Sequence, residues 1–247
     1  MSRVSRAFRI TGKIIKYLFI LLIVAINAFF LWRIFGSEDP SSMKALSPNE
    51  ALAEAFEKDG DLTGMFRQEQ RSITSGETNY GYFAVTKATF IPSANQIQII
   101  VRYNNSTLRN TQRDYGLAEA PAREEDVYDV SLLLVTDLTP ENKDDNLTGG
   151  DEATSKVRIF PTYCEKAEKN LYNFRLFVFD LGELDLSEHL ENGTLISVFT
   201  DIYYKNAADY SKPAYGTLCI YDYITETIDV KLSSKDKKAI AEWQANN

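Results

Sequence analysis

The chain has 247 residues, 44% of them hydrophobic, with 27 Lys and Arg against 35 Asp and Glu and a formal net charge of −8. That apolar content excludes a disordered tail, and the acidic balance argues against nucleic acid as a partner, because phosphate contacts need clustered Lys and Arg. Two cysteines and a single histidine leave little material for metal or nucleophilic chemistry.

Charge is segregated at the N-terminus. Arg3, Arg6, Arg9, Lys13 and Lys16 come first, without an acid among them, and the run KYLFILLIVAINAFFLWR follows. Residues 17–32 carry no charge. A bilayer core about 30 Å thick takes roughly 20 helical residues. Residues 14–35 are therefore predicted to form a single-pass transmembrane helix after a basic tail at 1–13. A secretory signal has a shorter apolar core that ends in small residues. Here the exit is Phe29, Phe30, Leu31, Trp32 and Arg33, so an uncleaved signal-anchor is expected. The basic flank should stay in the cytoplasm, which places the C-terminal part outside the cell membrane with the lipid bilayer as its first partner. Asn27 is the one strongly polar residue in the run and a candidate contact to another membrane helix.

Removing the six basic residues through Arg33 leaves 21 bases against 35 acids. Residues 36–46 read as a polar linker, and residues 47–247 as a β-rich extracytoplasmic domain. In SPNEALAEAFEKDGD, Ser47 suits an N-cap, Pro48 the first helical position and Glu50 a capping box. Leu52, Ala55 and Phe56 give that helix an apolar side, and Gly60 ends it. From there the period changes to two. Strands are predicted over residues 82–90 and through Ile97, Ile99, Val101 and Tyr103. Further strands follow in VYDVSLLLVTD, KVRIF, LYNFRLFVFDL, TLISVFTDIYY, TLCIYDY and ETIDVKL. In LYNFRLFVFDL one face holds Tyr172, Phe174, Leu176 and Val178. The fold expected is mainly β, an antiparallel sandwich-like ectodomain with a short helix at each end. The final helix, in SSKDKKAIAEWQ, should run into a loose tail. Long loops are expected at residues 104–126 and 139–155, and long loops in compact domains are often functional.

Asp144, Asn146, Thr148 and Gly149 fall at the first, third, fifth and sixth positions of a calcium loop, but Ser155 stands where a bidentate Glu is needed. What remains is a loose oxygen cluster of Asp144, Asp145 and Asp151, and no metal or other cofactor is expected. His189 lies in a polar turn without nearby ligands. Cys164 and Cys219 can pair in an oxidising compartment or stand as separate buried thiols. Tyr203, Tyr204, Tyr210 and Tyr215 bracket a hairpin-like turn. They are the candidate binding patch, although alternation along a strand sends part of any such set inward.

The segments YFAVTKATFIPSANQIQIIVRYNNSTL, VTDLTPENKDDN and YGTLCIYDY resemble uncharacterised single-pass membrane-anchored extracytoplasmic proteins of Gram-positive anaerobic bacteria. The likeness covers most of the outer domain. That family has no assigned activity, so the resemblance implies a place in the cell envelope and no mechanism. The expected function is non-catalytic binding or scaffolding, with an envelope protein or glycan as partner. The rival is a cell-envelope glycan hydrolase that uses paired carboxylates.

Overall fold

The computed structural model describes residues 3–36, 38–72, 83–136, 155–192, 195–210, 214–222 and 227–247. Two compact units emerge, Met1–Glu38 and Asp39–Asn247. The first is one helix, α1 (Arg3–Gly36). Its stretch Lys13–Trp32 is long and apolar enough to cross a membrane, and every side chain there is exposed within its own unit. A helix that is apolar all round has no polar face to turn to water.

The second unit is mainly β and sandwich-like. Its strands are β1 (Phe66–Ser72), β2 (Phe83–Ile91), β3 (Gln96–Asn104), β4 (Tyr128–Thr136), β5 (Ser155–Ile159), β6 (Tyr163–Lys169), β7 (Tyr172–Asp180), β8 (Leu195–Tyr204), β9 (Gly216–Asp222) and β10 (Ile228–Asp229). They form a six-stranded sheet, β10-β1-β2-β3-β7-β6, and a four-stranded sheet, β5-β4-β8-β9. Every described pairing is antiparallel. One core fills the space between the sheets. Phe83 and Phe90 of β2, Ile97 and Ile99 of β3, and Phe177 and Phe179 of β7 belong to it. From the second sheet come Leu132, Leu134, Val198 and Ile202. Each such side chain contributes about 1.5–3 kcal/mol on full burial, and ring contacts add to this, as between Phe83 and Tyr128 at 4.8 Å, edge to face.

The six-stranded sheet is covered on both sides. Its outer face carries Ile100, Phe174, Leu176 and Val178, and Met43 packs on them with none of its surface exposed. Thus the predicted face of β7 is the outer one, and the alternate residues Phe177 and Phe179 reach the main core. The covering layer begins at Asp39, so the linker expected over residues 36–46 is folded from Asp39 onward. Its polar groups are latched to the sheet and to the C-terminal helix. Thr86 donates to Asp39, Lys87 Nζ donates to the Met43 carbonyl at 3.1 Å, and the Leu46 amide donates to Asp236 at 2.7 Å. Gln98 pairs with the Ser47 backbone in both directions at 2.8 Å, one bond as acceptor and one as donor. Such pairing lets polar backbone lie on a buried face without unsatisfied groups.

Among the described residues there are five α-helices. After α1 come α2 (Glu50–Asp59), α3 (Asn105–Asp114), α4 (Leu186–Asn192) and α5 (Ser234–Asn246). The cap of α2 is Asn49, not Ser47, since Asn49 Oδ1 accepts from the Leu52 amide at 3.0 Å. Gly60 ends it as expected, at φ 68°. Helix α3 stands where a long loop was expected. Asn104 and Thr107 form its capping box, and mainly Thr107, Leu108 and Thr111 are buried, too few apolar positions for a visible helical period. His189 lies in α4 rather than in a turn, and α5 continues to Asn246 where a loose tail was expected. The polar sequences of β1 and β6 hid both strands.

Candidate functional site

The covering layer does more than bury the outer face of the six-stranded sheet. Between it and the sheet edge lies a groove of about 820 Å³. Ser47, Pro48 and the first turn of α2 form one wall, and Ala239 and Trp243 of α5 form another. Leu176 and Val178 line its apolar part, and Thr162, Tyr163 and Glu165 belong to the β6 side. Strand β6 is an edge strand, and its alternating Glu and Lys residues keep that edge soluble.

Asp180, at the end of β7, organises the groove. Its Oδ1 accepts from Gln96 Nε2 at 2.8 Å and from Asn49 Nδ2 at 3.0 Å. Its Oδ2 accepts from the Thr162 hydroxyl at 2.7 Å. Gln98 Nε2 in turn donates to Gln96 Oε1 at 2.7 Å, which fixes the orientation of the Gln96 amide. Asn49 therefore uses its oxygen to cap α2 and its nitrogen to hold Asp180. A carboxylate held by three donors is an immobile acceptor, suited to positioning rather than to proton transfer.

Around this centre stand Glu50 and Glu54, one turn apart on α2, and Glu165 on β6. No Lys or Arg is among the described lining residues. Two aromatic side chains, Tyr163 at 49% exposure and the half-buried Trp243, complete the lining. The Tyr163 phenol is pushed up from its ordinary range, first by partial burial and then by the charge of Glu165, so it stays a neutral hydrogen-bond donor. Carboxylates, a phenol, an indole and an apolar floor can together take hydroxyl or amine donors on a ring or an extended segment.

The four tyrosines singled out in the sequence fall into two groups, Tyr203 with Tyr210 and Tyr204 with Tyr215. Tyr203 and Tyr204 are neighbours on β8, so they point to opposite faces. Tyr203 pairs across to Asp129 and Tyr204 to Tyr128 of the main core. On the outer side, the Tyr210 ring meets Tyr203 at 4.9 Å and Phe160 at 5.0 Å, both edge to face. The Arg158 guanidinium lies over Tyr203 and donates to Asp201 at 2.9 Å and to Ser131 at 2.7 Å. On the inner side, Tyr204 and Tyr215 both pack on Tyr115, at 4.7 Å and 5.3 Å. The Tyr215 hydroxyl donates to Asp114 at 3.0 Å. Of the four, only Tyr210 is exposed, at 39%.

The remaining candidates are scattered. Asp144, Asp145 and Asp151 lie outside the described residues, as do residues 139–154, where a long loop was expected. Among the described residues no group of three or more His, Cys, Asp and Glu side chains is placed to hold a metal ion. Cys164 and Cys219 lie on strands of different sheets and are not bridged to each other. Cys164 is exposed at the surface, yet the partial desolvation of its thiol, with Asp126 adding to the effect, pushes it up to about 11, so it is protonated at neutral pH. Asn27 Nδ2 donates to the Ile23 carbonyl within α1 at 2.8 Å. The groove residues carried no local signal, because Asn49 and Asp180 are 131 positions apart in sequence. No protein-family model, curated protein or solved structure matches this chain.

Proposed function

We propose that this is a membrane-anchored extracytoplasmic binding or scaffolding protein, non-catalytic, with the groove beside β6 as its ligand site. The observation that carries the reading is the groove itself, with an immobile carboxylate at its centre, further acids and two aromatic rings around it, and no described lining cation. Such a site takes a hydroxyl-rich or amine-bearing component of the cell envelope, a glycan or a basic segment of a protein. The anchoring rests on α1 and its basic N-terminal flank, which favours a cytoplasmic N-terminus and a C-terminal unit outside. The resemblance to membrane-anchored envelope proteins implies the same place.

The test uses the full chain in lipid nanodiscs with soluble cell-wall fragments, read by calorimetry. Binding is expected, and the double change Tyr163→Ala and Trp243→Ala should weaken it at least tenfold with the circular dichroism spectrum unchanged. Unchanged affinity overturns the assignment of the groove. Turnover of the fragments that vanishes with Glu50→Gln or Glu165→Gln would instead favour the glycan hydrolase. Protease added to intact cells should digest the C-terminal unit, and its protection until lysis would refute the orientation.

A further inference from the structure

Asn27 stands in the part of α1 where residues 17–32 carry no charge. Its bond to the Ile23 carbonyl uses one amide hydrogen. The second amide hydrogen and the oxygen Oδ1 have no partner among the described residues. In hydrocarbon, unpaired amide groups are costly, and a partner helix is the available remedy. The position of Asn27 on the helix favours such a contact. Ile20, Ile23, Asn27 and Phe30 recur at spacings of three, four and three and form one stripe, with β-branched residues beside the amide. Phe29 and Trp32, whose rings lie 6.2 Å apart, fall on the other side of the helix.

We infer that α1 pairs with a second copy of itself in the bilayer, the two Asn27 side chains exchanging hydrogen bonds across a parallel helix pair. The inference rests on the anchored reading. A second copy is the occupant because it inserts with the same topology, so its Asn27 lies at the same depth. A carboxamide is also self-complementary, and a two-fold axis between the helices makes each donor–acceptor contact twice. A helix of another protein would have to offer both a donor and an acceptor at that one depth.

The full chain, labelled at its N-terminus with a donor or an acceptor fluorophore, is reconstituted into phosphatidylcholine vesicles. The expected result is co-flotation with the vesicles and energy transfer that unlabelled chain competes away. Asn27→Leu should float equally well but associate about 5- to 30-fold more weakly. Asn27→Gln should keep most of the transfer, and Leu22→Ala, away from the stripe, should leave it unchanged. Equal transfer by Asn27→Leu, or none by the unaltered chain in vesicles that carry it, overturns self-association and leaves the anchoring intact. A chain that does not float with the vesicles removes the anchored reading and this inference with it.

Discussion

The two sheets solve the problem of an outer face differently. The six-stranded sheet is closed by an apolar layer, with Met43 and Leu46 before α2 packed onto the sheet and onto α5, and β3 and β7 are buried almost along their whole length. The four-stranded sheet carries a polar network outside. There Arg158 bridges Ser131 and Asp201, Thr217 donates to Asp201 at 2.7 Å, and Tyr210 donates to Asp129 at 2.9 Å. An apolar layer stabilises through area removed from water and leaves a groove where it ends. A charged network gains less net free energy, because its groups were already solvated before folding. The groove belongs to the first kind of face, and the only exposed tyrosine of the four to the second.

The largest expected effect comes from breaking the apolar layer. Met43→Ala should lower stability by about 2–5 kcal/mol, the usual range for emptying a fully buried site. Urea unfolding of the full chain, followed by near-UV circular dichroism, would show it, and a loss well under 1 kcal/mol would mean that the layer is a passive cover.

Alkali probes the space between the sheets. Burial pushes the Tyr103 phenol up to about 12, above its ordinary value near 10. The contribution is therefore fully present below pH 10, because the unfolded chain ionises first, and it is lost as the pH rises to about 12. Roughly 2–3 kcal/mol should disappear over that window. Tyr103→Phe should flatten the decline, and an unchanged slope would place the alkaline loss elsewhere.

On the polar face, Asp201→Ala leaves Arg158 without its carboxylate and Thr217 without its acceptor, and should cost about 1–3 kcal/mol. Combining it with Arg158→Ala in a double-mutant cycle measures the pair itself, and additive losses would show no coupling. The smallest effect is expected at the rim. Lys205 and Asp126 are 2.9 Å apart but about half exposed, so Lys205→Ala should change stability by no more than about 1 kcal/mol, and less in high salt. A larger, salt-insensitive loss would show that the rim shares in the buried network.

Much of the architecture was legible in the sequence because it rests on local periodicity. The uncharged run of α1, the alternation through β3 and β4 and the stop at Gly60 each depend on neighbours within a few residues. Alternation names two faces but does not say which one meets the other sheet. On β7 both faces are apolar, so only the second layer decides that Phe177 and Phe179 lie inside while Phe174, Leu176 and Val178 take Met43. The polar strands β1 and β6 and the sparse apolar face of α3 form because neighbours in space complete them. The candidate site belongs wholly to this second kind of fact. Asn49, Gln96, Thr162 and Asp180 are ordinary polar residues in sequence, and they become one rigid centre because hydrogen bonds between distant segments close on a single carboxylate.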